Sequence, residues 1–247
     1  MNTSHRFSRL EALIGTPALE RLGNASVAVF GLGGVGSFAC EALVRGGIGR
    51  LTLIDFDTID LTNLNRQLHA LEGSIGRPKA QVMAERCRAI NPAATVEAIQ
   101  AFYSAENSAE LLDRGYDFVL DCIDHISAKL HLIETCLHRK IPVIASMGAA
   151  NKLDPTQVKV ADLAHTRSCR LARIIRRELR RRGIHGGLPV VYSTEEFRSL
   201  AGGRPAAPNE DGYQARRAPL GSSSVIPPLF GLTMAGVVLR TLLDEDP

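Results

Sequence analysis

Several common sequence signals are missing from this chain of 247 residues. None of its five cysteines forms a C-x-x-C pair, so the usual sequence sign of a structural zinc site is absent. Residues 1–9 are polar and lack the apolar run of a secretory signal peptide. Because an odd, scattered set of cysteines without such a leader is typical of reduced thiols, we expect a cytoplasmic protein.

A long, unbroken apolar run is also missing. The most apolar stretch, residues 225–243, contains Pro227 and Pro228 and carries Arg240 near its end, which makes it a poor membrane span. A buried or dimer-packing helix over 231–243 is the favoured interpretation, and peripheral membrane association stays open. With 45% hydrophobic and 22% charged residues and a formal net charge of +3, the composition permits a well-buried core.

Strand and helix signals alternate through the first 150 residues. Short apolar runs predict strands at 26–30, 51–54, 96–99, 117–121 and 141–146. Helical spacing predicts helices at 35–45, 78–90, 105–112 and 126–138. This order indicates a Rossmann-like α/β fold with a doubly wound, mostly parallel sheet that binds ligands at the carboxyl ends of its strands.

The pattern weakens after residue 150. Shorter signals predict strands at 158–160 and 189–192 and a helix at 171–182, and the composition of 202–224 predicts a mobile loop. We expect a single domain over 1–247. It would comprise a nucleotide-binding core at about 20–150 and a C-terminal α/β extension at about 151–247, which binds substrate and packs a dimer.

A glycine-rich turn joins the first predicted strand to the first predicted helix. It has the sequence GLGGVG and contains Gly31, Gly33, Gly34 and Gly36. Glycines there let backbone N–H groups approach a phosphate, although a tight structural turn is the alternative. Asp55 closes the second strand, where a carboxylate can accept hydrogen bonds from ribose hydroxyls. These features predict a bound nucleotide, with NAD, FAD and ATP equally good ligands.

The loop after Asp55 favours ATP. Its polar residues predicted to meet the nucleotide are Asp57, Asn63, Asn65, Arg66 and Lys79. Hydride transfer has no need for two cations beside the cofactor phosphates. Attack at an α-phosphate, in contrast, builds charge on that group and on the departing pyrophosphate, and both Arg and Lys can stabilise it. The alternative is that Arg66 and Lys79 are ordinary surface cations.

A pair of carboxylates, Asp121 and Asp124, stands where the fourth strand runs into a helix. Carboxylates at the carboxyl end of a strand can hold Mg²⁺ against phosphate oxygens. We predict that Asp124 is the metal ligand and that Asp121 helps to bind the nucleotide. A helix N-cap is the structural alternative for Asp124.

These motifs resemble a known family. The set of GLGGVG at 31–36, Asp55, NLNRQ at 63–67, Lys79 and DCID at 121–124 is similar to the ubiquitin-activating-enzyme superfamily in its bacterial, ThiF-type form. Within that superfamily, residues 69–92 and 146–157 resemble the tRNA threonylcarbamoyladenosine dehydratases. The resemblance extends over nearly the whole chain from Arg6.

The resemblance implies a reaction and a set of partners. Such enzymes use ATP to activate the threonyl carboxylate of threonylcarbamoyladenosine in tRNA, and the carbamoyl group then closes onto the activated carbon with loss of AMP. Mg²⁺, a monovalent cation (Na⁺ or K⁺) and a sulfur-transfer or cysteine desulfurase-type partner are further implications. Arg9 resembles an arginine that reaches the nucleotide of the neighbouring subunit in a homodimer, and would then be catalytic with Arg66, Lys79 and Asp124. A solvated Arg9 is the alternative.

Two other functions stay open. The first is adenylation of the C-terminus of a small ubiquitin-like sulfur carrier, although activators of such carriers commonly have the C-x-x-C zinc motifs that this chain lacks. The second is an NAD-binding dehydrogenase or binding module. Cys169 falls where relatives sometimes have a reactive cysteine, but cyclisation needs no thioester and a lone cysteine is more often structural, so a structural Cys169 is favoured. Arg170 stands where the resemblance would place a proline.

Arginines are concentrated in one segment, residues 167–182, which contains eight of them and a single acid, Glu178. Those predicted to contact tRNA are Arg170, Arg173, Arg176, Arg177 and Arg180. On a helix this stripe suits an RNA backbone, and the family resemblance favours tRNA over DNA. A solvated helix face or a contact with an anionic membrane is the alternative.

Overall fold

The computed structural model describes residues 4–199 and 220–244. In these residues the strands are β1 Ser26–Phe30, β2 Arg50–Ile54, β3 Thr95–Ile99, β4 Phe118–Asp121, β5 Val143–Ser146, β6 Val158–Asp162 and β7 Pro189–Ser193. The helices are α1 Ser8–Ile14, α2 Thr16–Asn24, α3 Gly36–Arg45, α4 Lys79–Ile90, α5 Ser108–Leu112, α6 Ile126–His138, α7 Arg170–Arg181 and α8 Ile226–Leu242.

The strands form one sheet in the order β3-β2-β1-β4-β5-β7-β6. Neighbouring strands are parallel, except that β6 pairs antiparallel with β7 at one edge. The chain moves outward from β1 to β3 and then returns to the other side of β1 with β4, so the strand order reverses between β1 and β4. The predicted α/β fold with a mostly parallel sheet is confirmed, and its switch point is where such folds bind ligands.

Each face of the sheet carries its own hydrophobic core. Val27 and Val29 of β1 pack into the core that contains α3, α4 and α8. Ala28 and Phe30, which alternate with them, pack into the core that contains α5, α6 and α7. Because β1 is buried on both faces, every one of its residues is buried, and the strand reads in sequence as an apolar run.

Helix α8 is longer than the sequence suggested. It begins at Ile226 rather than near 231, because Pro227 and Pro228 occupy its first turn, where a missing N–H costs nothing. The helix packs closely on α3: a Cβ on Gly231 would lie 2.1 Å from the carbonyl oxygen of Val35. This makes α8 a buried helix, and no helix in the described parts of the chain is long and apolar enough to cross a membrane.

Two features fall outside the sequence predictions. Helices α1 and α2 lie in a region for which no element was predicted. Most of the predicted mobile loop at 202–224 lies outside the described residues.

The sheet continues from β5 to β7, so strands of the predicted core and of the predicted extension belong to a single sheet.

Candidate functional site

A cavity of about 400 Å³ opens at the carboxyl ends of β1, β2 and β4. The glycine turn forms one wall, and Gly31, Gly33 and Gly34 all line it. Gly31 has φ +87° and a Cβ there would lie 2.8 Å from the carbonyl oxygen of Cys122, so only glycine fits this close approach. Gly36 does not line the cavity. It is needed inside the turn, because its Cβ would lie 1.8 Å from the carbonyl oxygen of Gly31.

Asp55 and Asp57 line the same cavity beside the glycine turn, just beyond β2. The Asp55 carboxylate accepts hydrogen bonds from the backbone N–H groups of Leu32 (2.5 Å) and Asp57 (2.8 Å). Burial raises the pKa of Asp55, and these two N–H groups oppose that rise. Asp55 is therefore fixed in orientation against the glycine turn.

Lys79 reaches the same cavity from the first position of α4. Its side chain is buried, and its Nζ lies 2.7 Å from Oδ2 of Asp57. The backbone N–H of Lys79 also donates to the carbonyl of Asp57, so two hydrogen bonds join these residues. The ion pair holds the ammonium at the cavity wall in a fixed position.

Arg66 is presented by a short 3₁₀ turn, Leu61–Asn63, that a capping box between Asp60 and Asn63 stabilises. The Arg66 Nη1 donates to the carbonyl of Thr62 and to Oδ1 of Asn65, both at 2.8 Å. Asn63 and Arg66 line the cavity. Asn65 does not: its amide also donates to the carbonyl of Ser222 at 2.9 Å. The structure therefore does not bring Asn65 to the cavity wall with the other predicted residues, and its Oδ1 orients Arg66.

Asp124 also lines the cavity and is exposed. The N-cap of α6 is His125, whose Nδ1 accepts from the N–H of Ala128 at 3.4 Å. Among the described residues no group bonds the Asp124 carboxylate, so the structural alternative of an N-cap does not apply. The described residues also contain no group of three or more metal-ligating side chains.

Asp121 was predicted to bind the nucleotide, and the structure corrects this. Its carboxylate is completely buried and lies 2.6 Å from Nζ of Lys129, which is also completely buried. Burial raises the pKa of Asp121, and the neighbouring ammonium opposes that rise. Asp121 is occupied in an internal ion pair and does not line the cavity.

A second cavity of about 480 Å³ adjoins the first. Residues common to both walls are Val35, Arg66, Cys122, Ile123, Asp124 and Pro227. The remaining lining comes from the end of β5, the start of α7 and the segments near Phe197 and Leu220. Arg66 and Asp124 therefore stand at the boundary between two adjoining cavities.

Sequence reasoning missed several residues at the first cavity. Phe56, Phe102 and His125 form a row of edge-to-face rings, with centroids 5.2 and 5.4 Å apart. Gln67 also lines this cavity; it is only 7% exposed, and its Oε1 has no hydrogen-bond partner. The only sequence signal for Gln67 was its place directly after Arg66, and the aromatic row had none because its members lie far apart in the chain.

Helix α7 presents part of the predicted arginine stripe to solvent. Arg173, Arg177 and Arg180 are exposed. Arg176 turns inward, where Nη1 donates to the carbonyls of Leu163 and Thr166, both at 3.1 Å. Arg176 thereby holds the segment before the helix, and it is half-buried while Arg173, Arg177 and Arg180 are exposed.

Three further residues considered in the sequence analysis lie at the start of α7 or on α1. Arg170 lines the second cavity, with its guanidinium carbon 4.2 Å from the ring centroid of Phe197. Cys169 is the N-cap of α7, where it accepts from the N–H of Ala172 at 3.5 Å; it is buried and also lines the second cavity. Arg9 lies exposed on α1 and does not line either cavity of its own chain.

Comparison with known proteins bears out the predicted resemblance. A tRNA threonylcarbamoyladenosine dehydratase of Bacillus subtilis (strain 168) is 44% identical over 243 residues, covering 98% of this chain and 96% of that protein. The crystal structure of the Escherichia coli tRNA N6-threonylcarbamoyladenosine dehydratase in complex with ATP matches with a TM-score of 0.85 and 36% identity, covering 97% of this chain and 94% of that one.

A molybdopterin-synthase adenylyltransferase of Haemophilus influenzae is similar over a smaller part. It is 36% identical over 135 residues, which cover 55% of this chain and 54% of that protein. The ThiF family profile matches residues 7–247. On the strength of this match and of the near full-length relatives, the chain belongs to the ThiF family.

Proposed function

We propose that this chain catalyses the ATP-dependent cyclisation, a dehydration, of threonylcarbamoyladenosine in tRNA through adenylation of the threonyl carboxylate. The observation that carries the proposal is the pair of adjoining cavities that share Arg66 and Asp124. The first cavity is lined by the glycine turn that is typical of a nucleotide site. The second cavity would bring the acceptor substrate next to Arg66 and Asp124. The dehydratases to which the chain is similar act on tRNA by name, and one of their structures contains ATP.

In the first cavity the chain would bind ATP. Backbone N–H groups of the glycine turn and the start of α3 would receive the phosphates. Asp55, held by its two backbone hydrogen bonds, would accept from the ribose hydroxyls. The edges and faces of Phe56 and Phe102 would give the adenine an apolar wall.

Arg66 and Lys79 would stabilise the charge that develops during activation. An oxygen of the threonyl carboxylate attacks the α-phosphorus, the bond to the bridging oxygen breaks, and pyrophosphate leaves. Both cations are held by neighbours, Arg66 by Thr62 and Asn65 and Lys79 by Asp57, so little reorganisation is needed in the transition state. Asp57 thereby positions the lysine.

Asp124 fits the role of a Mg²⁺ ligand. Mg²⁺ in phosphate sites is commonly held by one or two protein carboxylates together with water and phosphate oxygens, and Asp124 offers one exposed carboxylate at the cavity wall. The ion would neutralise phosphate charge there. A monovalent cation is part of the same proposal, but the described residues assign no ligands to it.

The second half of the reaction closes the ring. The carbamoyl group attacks the activated acyl carbon, AMP leaves, and the carbamoyl group loses a proton to solvent, so that the base has lost the elements of one water. No residue is required as a general base, because an acyl adenylate is reactive and correct positioning supplies most of what is needed.

The macromolecular partners belong to the proposal as well. Arg173, Arg177 and Arg180 would contact the tRNA backbone, and Arg170 would lie nearer the modified base. We include a homodimer in which Arg9 serves the neighbouring subunit, and a cysteine desulfurase-type partner, as the family resemblance implies.

One experiment separates the possible reactions. The chain is incubated with ATP, Mg²⁺ and tRNA carrying threonylcarbamoyladenosine, and the tRNA is then digested to nucleosides for mass analysis. Loss of one water from the modified nucleoside, with one AMP formed per event, is the expected result. An unchanged nucleoside together with adenylation of a sulfur-carrier protein would replace the proposal with the adenylyltransferase function, and tighter binding of NAD than of ATP would refute both.

A further inference from the structure

Three lysines are buried in the described parts of the chain, and one of them differs from the other two. Lys79 and Lys129 lie 2.7 and 2.6 Å from a carboxylate oxygen. Lys152 is 4% exposed, and among the described residues it forms no ion pair. Its hydrogen bond goes to a backbone group, the carbonyl of Glu195. Lys152 is therefore a buried cation without an anionic partner.

Glu195 does not neutralise Lys152, although it lies nearby. Its carboxylate accepts from the backbone N–H groups of Leu153 (2.9 Å) and Asp154 (2.8 Å) and from Nε of Arg198 (2.8 Å). The negative charge of Glu195 is thus already paired with Arg198. Burial lowers the pKa of Lys152, while the negative charge of Glu195 opposes that change.

A buried, unpaired charge is costly, and proteins retain one mainly where a ligand supplies the missing partner. Lys152 lines the second cavity. The other charged side chains lining that cavity are Arg66, Asp124 and Arg170, so the described lining has three cations and one carboxylate. The cavity is therefore electrostatically suited to an anionic ligand, and its volume of about 480 Å³ admits one of the size of a modified base.

We propose that Lys152 is the binding residue for the carboxylate of the acceptor substrate in the second cavity. This inference rests on the proposed function and adds the group that holds the threonyl carboxylate before it is activated. An ammonium has three N–H donors, and one of them is used by Glu195. One carboxylate oxygen would accept from Lys152 while the other faces the boundary where Arg66 lies.

The test compares two tRNAs that differ only in the carboxylate-bearing group. Equilibrium binding of tRNA with threonylcarbamoyladenosine and of the same tRNA with unmodified adenosine is measured for the wild type, Lys152→Met and Lys152→Gln. Lys159→Met is the matched control, because Lys159 is an exposed lysine on the neighbouring strand β6. The conversion rate and ATP binding of each protein are measured in parallel.

We expect the wild type and Lys159→Met to prefer the modified tRNA. In both Lys152 variants this preference should fall about tenfold or more, as for loss of a charge-assisted hydrogen bond, while binding of unmodified tRNA and ATP is retained. An undiminished preference in both variants would overturn the role of Lys152 and leave the proposed function intact. A wild type that neither prefers nor converts the modified tRNA would instead refute the proposed function.

Discussion

The two adjoining cavities hold their buried lysines in different ways. In the first, Lys79 is paired with Asp57 and Asp55 is fixed by backbone N–H groups, so the charges are compensated before any ligand arrives. In the second, Lys152 has no anionic partner among the described residues. The difference teaches that the first cavity is preorganised around its own charges, whereas the second depends on its ligand to complete the electrostatics.

The sharpest test of this comparison is stability. Lys129 lies outside both cavities and is the reference for a fully buried lysine that has a carboxylate partner. Lys129→Met should lower the free energy of unfolding by about 3–5 kcal/mol, because it leaves the buried carboxylate of Asp121 without a partner. Lys152→Met should leave the free energy of unfolding unchanged or raise it, since it removes an unpaired buried charge. Denaturant unfolding of both variants measures the difference, and an equal loss in the two would break the comparison.

Catalysis tests the first cavity. Arg66→Ala and Lys79→Ala should each slow AMP formation by about 10²-fold or more, as for loss of a donor that stabilises the transition state, while each variant stays folded. Single-turnover measurement of AMP checks the rate. Arg77→Ala is the control, because Arg77 belongs to the same loop but pairs with Glu85 at the surface. A near wild-type rate in Arg66→Ala or Lys79→Ala would remove that residue from the mechanism.

The exposed arginines of α7 are expected to bind the tRNA backbone, and the salt dependence of tRNA binding tests this. Replacing Arg173, Arg177 and Arg180 together by Gln should make the log–log salt dependence of tRNA binding shallower by about 2 to 3, since each phosphate contact contributes roughly 0.7–0.9. Arg176→Gln should leave the salt dependence as it is, because Arg176 turns inward to Leu163 and Thr166. The opposite pattern would assign the RNA contact to Arg176 and refute the exposed face.

The smallest expected effect comes from Asn65. Asn65→Ala should slow turnover by only about 3–10-fold, because Arg66 keeps its hydrogen bond to Thr62 after losing the one to Asn65. Steady-state rates at saturating ATP measure this effect. A loss as large as that of Arg66→Ala would mean that Asn65 touches the nucleotide itself.

The fold could be predicted from the sequence almost element by element, because its signals are local. The apolar run of β1, the glycine turn and the helical spacing of α6 each depend on neighbouring residues alone, and helix α6 has the predicted bounds. The start of α8 could not be predicted as well, since prolines that break a helix interior are tolerated in its first turn.

The candidate site could be predicted in part. The sequence correctly identified Gly31, Asp55, Arg66 and Lys79 as lining one cavity, because they follow successive strands at the same edge of the sheet. The exceptions have a common cause. Asp121 turns away to Lys129, Arg176 turns inward and Asn65 bonds Ser222, and each of these partners is decided by tertiary packing. Lys152 was missed for the same reason, since nothing in its local sequence reveals which lysines lack a counter-ion.

The wall shared by the two cavities has a kinetic consequence. If the proposed reaction takes place there, the mixed anhydride is both formed and consumed beside Arg66 and Asp124, and never has to diffuse through water. Hydrolysis of that labile species would then compete poorly with ring closure. The number of ATP molecules consumed for each base cyclised should accordingly stay close to one, even when tRNA is scarce.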